Sequence, residues 1–143
     1  SSRRFFLLMF SKSGSVAGAQ HIAKATNRTG FLKRDPANWQ RWYDDLETHD
    51  PQGMAYTFRN YQGCRPSLFG FAEQMKGLKI PTLLVVGEED QACIEVNLFL
   101  RNCVPNASLN TFPSCGHAIN LEYPDRFNEL LKRFLEEVEI SRR

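Results

Sequence analysis

The sequence predicts an α/β fold built on a parallel sheet, and three features predict it. Residues 80–86 (IPTLLVV) form a continuous apolar run of the kind that a strand covered on both faces requires. Residues 107–112 can form a second strand, and residues 94–100, between the two, suit a helix. The chain then ends in a strongly amphipathic stretch, with Phe127, Leu130, Leu131, Phe134, Leu135 and Val138 at i, i+3, i+4, i+7, i+8 and i+11. Strand, helix, strand and helix in that order imply right-handed crossovers and strands that run parallel.

The chain divides into three parts. Residues 77–143 carry the alternating pattern just described. Residues 35–76 read as short helices. Asp35-Pro36 and Asp50-Pro51 are both N-cap residues followed by Pro at the first helical position. Trp39, Trp42, Tyr43 and Leu46 fall on one face of the first helix, and Met54, Phe58 and Tyr61 on one face of the second. Pro66-Ser67 opens a third segment bearing Leu68, Phe71 and Met75. So many aromatics suit either a helical core or a lid over an apolar pocket. Residues 1–34 show a short apolar run, Phe5 to Phe10, that suits a buried strand. A turn-like Ser11-Lys12-Ser13-Gly14-Ser15 and a stretch from Val16 to Lys24 that can be helical come next.

Composition narrows the function classes. With 18 basic against 16 acidic residues the formal net charge is +2, and no basic stripe interleaves with aromatics, so a nucleic-acid or anionic-membrane partner is not expected. The six-residue run after Arg3-Arg4 falls short of the roughly 7–15 residues of a secretory core, and no run approaches the roughly 18 of a membrane span. The four cysteines, Cys64, Cys93, Cys103 and Cys115, form no CxxC pair. They read as reduced thiols serving as small buried hydrophobes in a cytoplasmic protein.

Chemistry is expected at the carboxyl ends of the strands, where loops of open parallel sheets gather functional groups. One such loop holds Asp90 and the other His117, 27 residues later. A carboxylate so placed can accept the Nδ1 proton of the imidazole, fixing its tautomer and stabilising the imidazolium. Cys115-Gly116-His117 has no companion ligands at zinc spacing, so neither a metal nor a cofactor is expected. His21 and His49 are expected to be solvated.

The residues around these two groups resemble a known family. The stretch IPTLLVVGEEDQACIE looks like the acid-bearing strand and loop of α/β-hydrolases, with the acid three residues after the glycine. The stretch LNTFPSCGHAINLEYPDRFNELLKRFLEE resembles the family's last strand, Gly-His loop and closing helix. The block DPQGMAYTFRNYQGCRPSLFGF is similar to the end of the helical cap of its lipase- and esterase-like branch. The resemblance implies the C-terminal part of an α/β-hydrolase sheet with a helical cap segment, Asp90 as triad acid and His117 as general base. It implies hydrolysis of a small apolar ester or similar acyl substrate by a serine nucleophile. A related branch with an Asp nucleophile would open epoxides or carbon–halogen bonds.

The family's Gly-x-Ser-x-Gly elbow does not occur in the sequence, and neither does an HG-type oxyanion loop. Ser13, in a small-x-Ser-x-small pattern with serines replacing both elbow glycines, is the candidate nucleophile within the chain, with Cys115 or Cys93 behind it. Without a nucleophile the reading becomes a non-catalytic association module on the same fold. The sheet is expected to be incomplete within this chain, which invites pairing with a second copy or a complementing chain.

Overall fold

The structure is a computed structural model, and it describes residues 29–141. The expected strand Phe5 to Phe10, the helix from Val16, Ser13 and His21 lie outside the described residues. Two compact units divide at Ser67 and Leu68.

The described residues of the first unit are helical, and aspartates set two of the helix starts. Helix α1 spans Thr29–Arg34 and α2 spans Pro36–Glu47. Asp35 accepts a hydrogen bond from the Ala37 N–H at 2.9 Å, satisfying a donor that no intrahelical carbonyl can reach. Asp50 does more for α3, Pro51–Tyr56: its carboxylate accepts from Gln52 N–H at 3.3 Å and from Gly53 N–H at 2.7 Å. Beyond α3 the chain widens into a π-helical turn, Thr57–Gln62, and Tyr61 on it is exposed, where the helical period had assigned it to an apolar face. Trp39, Trp42 and Met54 are half-buried, and Leu32 and Ala55 are buried.

The second unit contains the sheet. A 3-10 turn, Leu68–Phe71, leads into α4, Ala72–Lys76, and then into β1, Thr82–Gly87. Helix α5, Gln91–Cys103, crosses to β2, Ala107–Phe112, which pairs parallel to β1 with Thr82 opposite Ala107 and Gly87 opposite Phe112. The two-residue offset from the expected start at Ile80 follows from Pro81, which has no N–H for the ladder. Ile80 is instead 67% exposed. The short α6, Ile119–Glu122, and the long α7, Pro124–Ile140, complete the unit.

The core lies where the last turn of β2 meets α6 and α7. Phe112, Cys115 and Ile119 are buried, and Val85, Tyr123, Phe127 and Leu130 pack around them. The Arg126 guanidinium sits 4.5 Å from the Phe112 ring centroid, a cation–π contact on the core's rim. On α5, Phe99 packs against Phe69 of the 3-10 turn with centroids 4.7 Å apart. Helix α7 buries a narrower stripe than its sequence predicts: Phe127, Leu130, Phe134 and Val138 are half-buried, whereas Leu131 and Leu135 are exposed. A sheet of two described strands is too narrow to cover the full stripe. The cysteines also divide: Cys115 is buried, Cys93 and Cys103 half-buried and Cys64 exposed, so the expectation of four small core residues holds for Cys115. Among the described residues no helix is long and apolar enough to cross a membrane.

Two backbone segments pass close together at the carboxyl end of the sheet. A Cβ placed on Gly87 would lie 2.2 Å from the Cys115 carbonyl oxygen and 2.3 Å from that of Gly116. Gly87→Ala therefore forces two backbone segments apart, and urea denaturation should show a loss of about 3 kcal/mol, the upper end for steric insertion into a packed region. Asp50→Ala removes only a helix cap in the other unit and should lose about 1 kcal/mol in the same measurement.

Candidate active site

The site is assembled by two loops that leave the sheet side by side. The acid loop, Gly87 to Asp90, continues β1; the histidine loop, Pro113 to His117, continues β2. Since the strands are parallel and neighbouring, both loops emerge at the same edge. Backbone hydrogen bonds then lace them together. Glu88 N–H donates to the Phe112 carbonyl at 3.0 Å, and Glu89 N–H donates to that of Cys115 at 2.8 Å.

The histidine loop has its own supports. Ser114 adopts a left-handed conformation, φ 51°, which reverses the chain after β2. The Gly116 N–H donates to Glu122 Oε1 at 2.9 Å, so the first turn after the loop holds it from the other side. Cys115, with no exposed surface, anchors the loop in the core.

These constraints bring Asp90 and His117 together. His117 Nδ1 lies 2.6 Å from Asp90 Oδ2. An ionised carboxylate can only accept, so Nδ1 carries the proton and donates it. The Asp90 side chain is 5% exposed, whereas that of His117 is 41% exposed. A buried acid thus holds an imidazole that reaches solvent. Asp90 also occupies the N-cap position of α5, yet its side chain makes no cap hydrogen bond. An N-cap aspartate typically contributes about 1 kcal/mol to its helix. Here the carboxylate is directed at the imidazole instead.

A third group stands beside the pair. Cys93 Sγ lies 3.8 Å from His117 Nδ1, and its backbone N–H donates to the Asp90 carbonyl at 2.9 Å in the first turn of α5. The sequence holds a signal for this placement: Cys93 follows Asp90 by three residues at a helix start, and such positions share a face. Glu122, by contrast, carries no sequence signal of its role. Cys115 is turned into the core next to the site, and Ser13 lies outside the described residues. His49 is exposed, with Nδ1 2.6 Å from the Asp45 carbonyl oxygen.

Comparison with known proteins agrees with this architecture. No family model matches the chain. A 2-hydroxymuconate semialdehyde hydrolase of Pseudomonas putida is 35% identical over 66 residues, which is 46% of this chain and 24% of the relative. The 2-hydroxymuconate semialdehyde hydrolase of Pseudomonas sp. strain CF600 is 33% identical over 112 residues, 78% of this chain and 32% of the relative. The chain thus spans about a quarter to a third of the length of these curated relatives. Among solved structures, MenH from S. aureus superposes with a TM-score of 0.84 at 22% identity, covering 95% of this chain and 50% of that one. The parallel strand pair, the order of its elements and this superposition together establish that the chain has the fold of the C-terminal portion of an α/β-hydrolase.

Proposed function

We propose that the chain supplies the acid and the general base of a hydrolase acting on an ester or similar acyl bond. The observation that carries this reading is the 2.6 Å contact between buried Asp90 and half-exposed His117 at the carboxyl edge of the sheet. With Nδ1–H held by the carboxylate, Nε2 is the nitrogen that takes a proton from the attacking hydroxyl and returns it to the leaving group. Asp90 keeps that tautomer in place and stabilises the imidazolium as it forms. The relatives' names support hydrolysis as the reaction class, since both are hydrolases of a 2-hydroxymuconate semialdehyde.

Neither described loop carries a Gly-x-Ser-x-Gly elbow or an HG-type oxyanion motif. Ser13 is the candidate inside the chain, and the alternative source is sequence or a second chain beyond these 143 residues. A non-catalytic role as an association module is the competing reading, favoured by the missing Gly-x-Ser-x-Gly.

Turnover of p-nitrophenyl acetate by the 143-residue chain should not exceed what an exposed histidine provides, because the rate that survives loss of a triad member comes from the oxyanion hole and binding, and the sequence holds neither a Gly-x-Ser-x-Gly elbow nor an HG-type oxyanion loop. That remainder should vanish in His117→Ala. Fluorophosphonate labelling that is lost in both Ser13→Ala and His117→Ala would place the nucleophile at Ser13. Turnover well above that level which survives His117→Ala would overturn the assignment of the base.

We also propose that the incomplete sheet is completed by a second copy or a complementing chain. Each described strand pairs on one side, and Leu78, Ile80, Leu131 and Leu135 present apolar surface in the same unit. Light scattering at micromolar concentration should give a mass above that of the monomer, and a clean monomer would count against it.

A further inference from the structure

The carboxylate, thiol and imidazole at the sheet edge are more than an acid–base pair with a bystander. Ligand atoms of Asp90, Cys93 and His117 all lie within 4.8 Å of one another. Such a set matches what zinc-class ions select: thiolate, imidazole nitrogen and carboxylate oxygen. We propose that Asp90, Cys93 and His117 form a binding site for a zinc-class divalent ion, which on binding takes Nδ1 away from Asp90 and withdraws His117 from proton transfer.

An ion about 2.3 Å from sulfur and about 2.0–2.1 Å from an imidazole nitrogen in tetrahedral geometry keeps those two atoms roughly 3.6 Å apart. Cys93 Sγ and His117 Nδ1 are already 3.8 Å apart. The Asp90 Oδ2–Nδ1 contact must open from 2.6 Å to roughly 3.4 Å. Replacing the shared proton by a larger ion requires that expansion. The exposed imidazole provides room for it, since His117 can move outward while the buried Asp90 stays.

Asp90 and Cys93 sit one turn apart at the start of a thirteen-residue helix, so both are presented by a single rigid element. His117 arrives from the other loop. Three protein ligands leave the fourth tetrahedral position for water. Protons balance simply: the Cys93 thiol releases its proton to solvent, and the imidazole moves its proton from Nδ1 to Nε2. In the sequence the third ligand lies 24 residues beyond Cys93, on the other loop. Metal binding stands on this geometry alone; only its effect on turnover rests on the proposed acid–base role.

Cobalt(II) titration of the full chain tests the site without any assay of activity. One equivalent should produce a near-ultraviolet thiolate-to-cobalt charge-transfer band with tetrahedral visible absorption, and zinc should displace it. Cys93→Ser should abolish the band, while Cys64→Ser and Cys103→Ser should retain it. His117→Gln and Asp90→Asn should weaken cobalt binding by more than about 100-fold, beyond the upper end of what losing an outer-shell partner costs. Circular dichroism checks that each variant is folded, and Cys93→Ala repeats the test where serine perturbs the helix. Failure of the wild-type chain to develop the band overturns the proposal. So does a band that persists in folded Cys93→Ser or disappears in Cys64→Ser.

Discussion

The close passage of Gly87 beneath the carbonyls of Cys115 and Gly116 is the constraint on which the site depends. Parallel strands bring two loops to one edge, but neighbouring strands alone do not bring two side chains into contact. The missing Cβ lets the acid loop run directly against the histidine loop. The hydrogen bonds from Glu88 and Glu89 to the Phe112 and Cys115 carbonyls then set the relative height of the two segments. Any side chain at position 87 would need space already filled by backbone, which cannot give way as a flexible side chain can.

Around that contact, the surroundings restrain the histidine loop on several sides. Cys115 anchors it to Phe112 and Ile119, Glu122 accepts from the Gly116 N–H, and the left-handed Ser114 turns the chain. The imidazole is left projecting toward solvent. The acid is treated in the opposite way. Asp90 is buried at a helix start, where its carboxylate could have capped α5, and is committed instead to His117. Forgoing a cap is a small local loss of about 1 kcal/mol.

The same geometry that suits proton transfer also suits metal coordination, and the difference is one side chain. An acid and an imidazole form a pair; adding the thiol one helical turn after the acid turns the pair into a ligand set. Buried Cys115 and half-buried Cys93 illustrate how little the residue type decides. One thiol fills the core, and the other borders an ionisable pair, although they stand in neighbouring parts of one unit.

The sequence by itself determined the elements that local physics controls. Asp-Pro pairs set helix starts because the carboxylate satisfies exposed N–H groups and proline lacks one. The apolar run and the 3.6-residue stripe of the last helix marked the βαβα order, and with it the edge that holds Asp90 and His117. Tertiary structure decided what depends on neighbours distant in the chain. The stripe of α7 is only partly buried because the described sheet is two strands wide, and Tyr61 is exposed because a π-turn rotates it off the face that its spacing assigned. The Gly87 contact, the grip of Glu122 and the place of Cys93 beside the imidazole were likewise settled by tertiary structure. Each depends on distances of a few ångströms between segments 6 to 29 residues apart; the three-residue spacing of Asp90 and Cys93 marks a shared face but not the imidazole beside it.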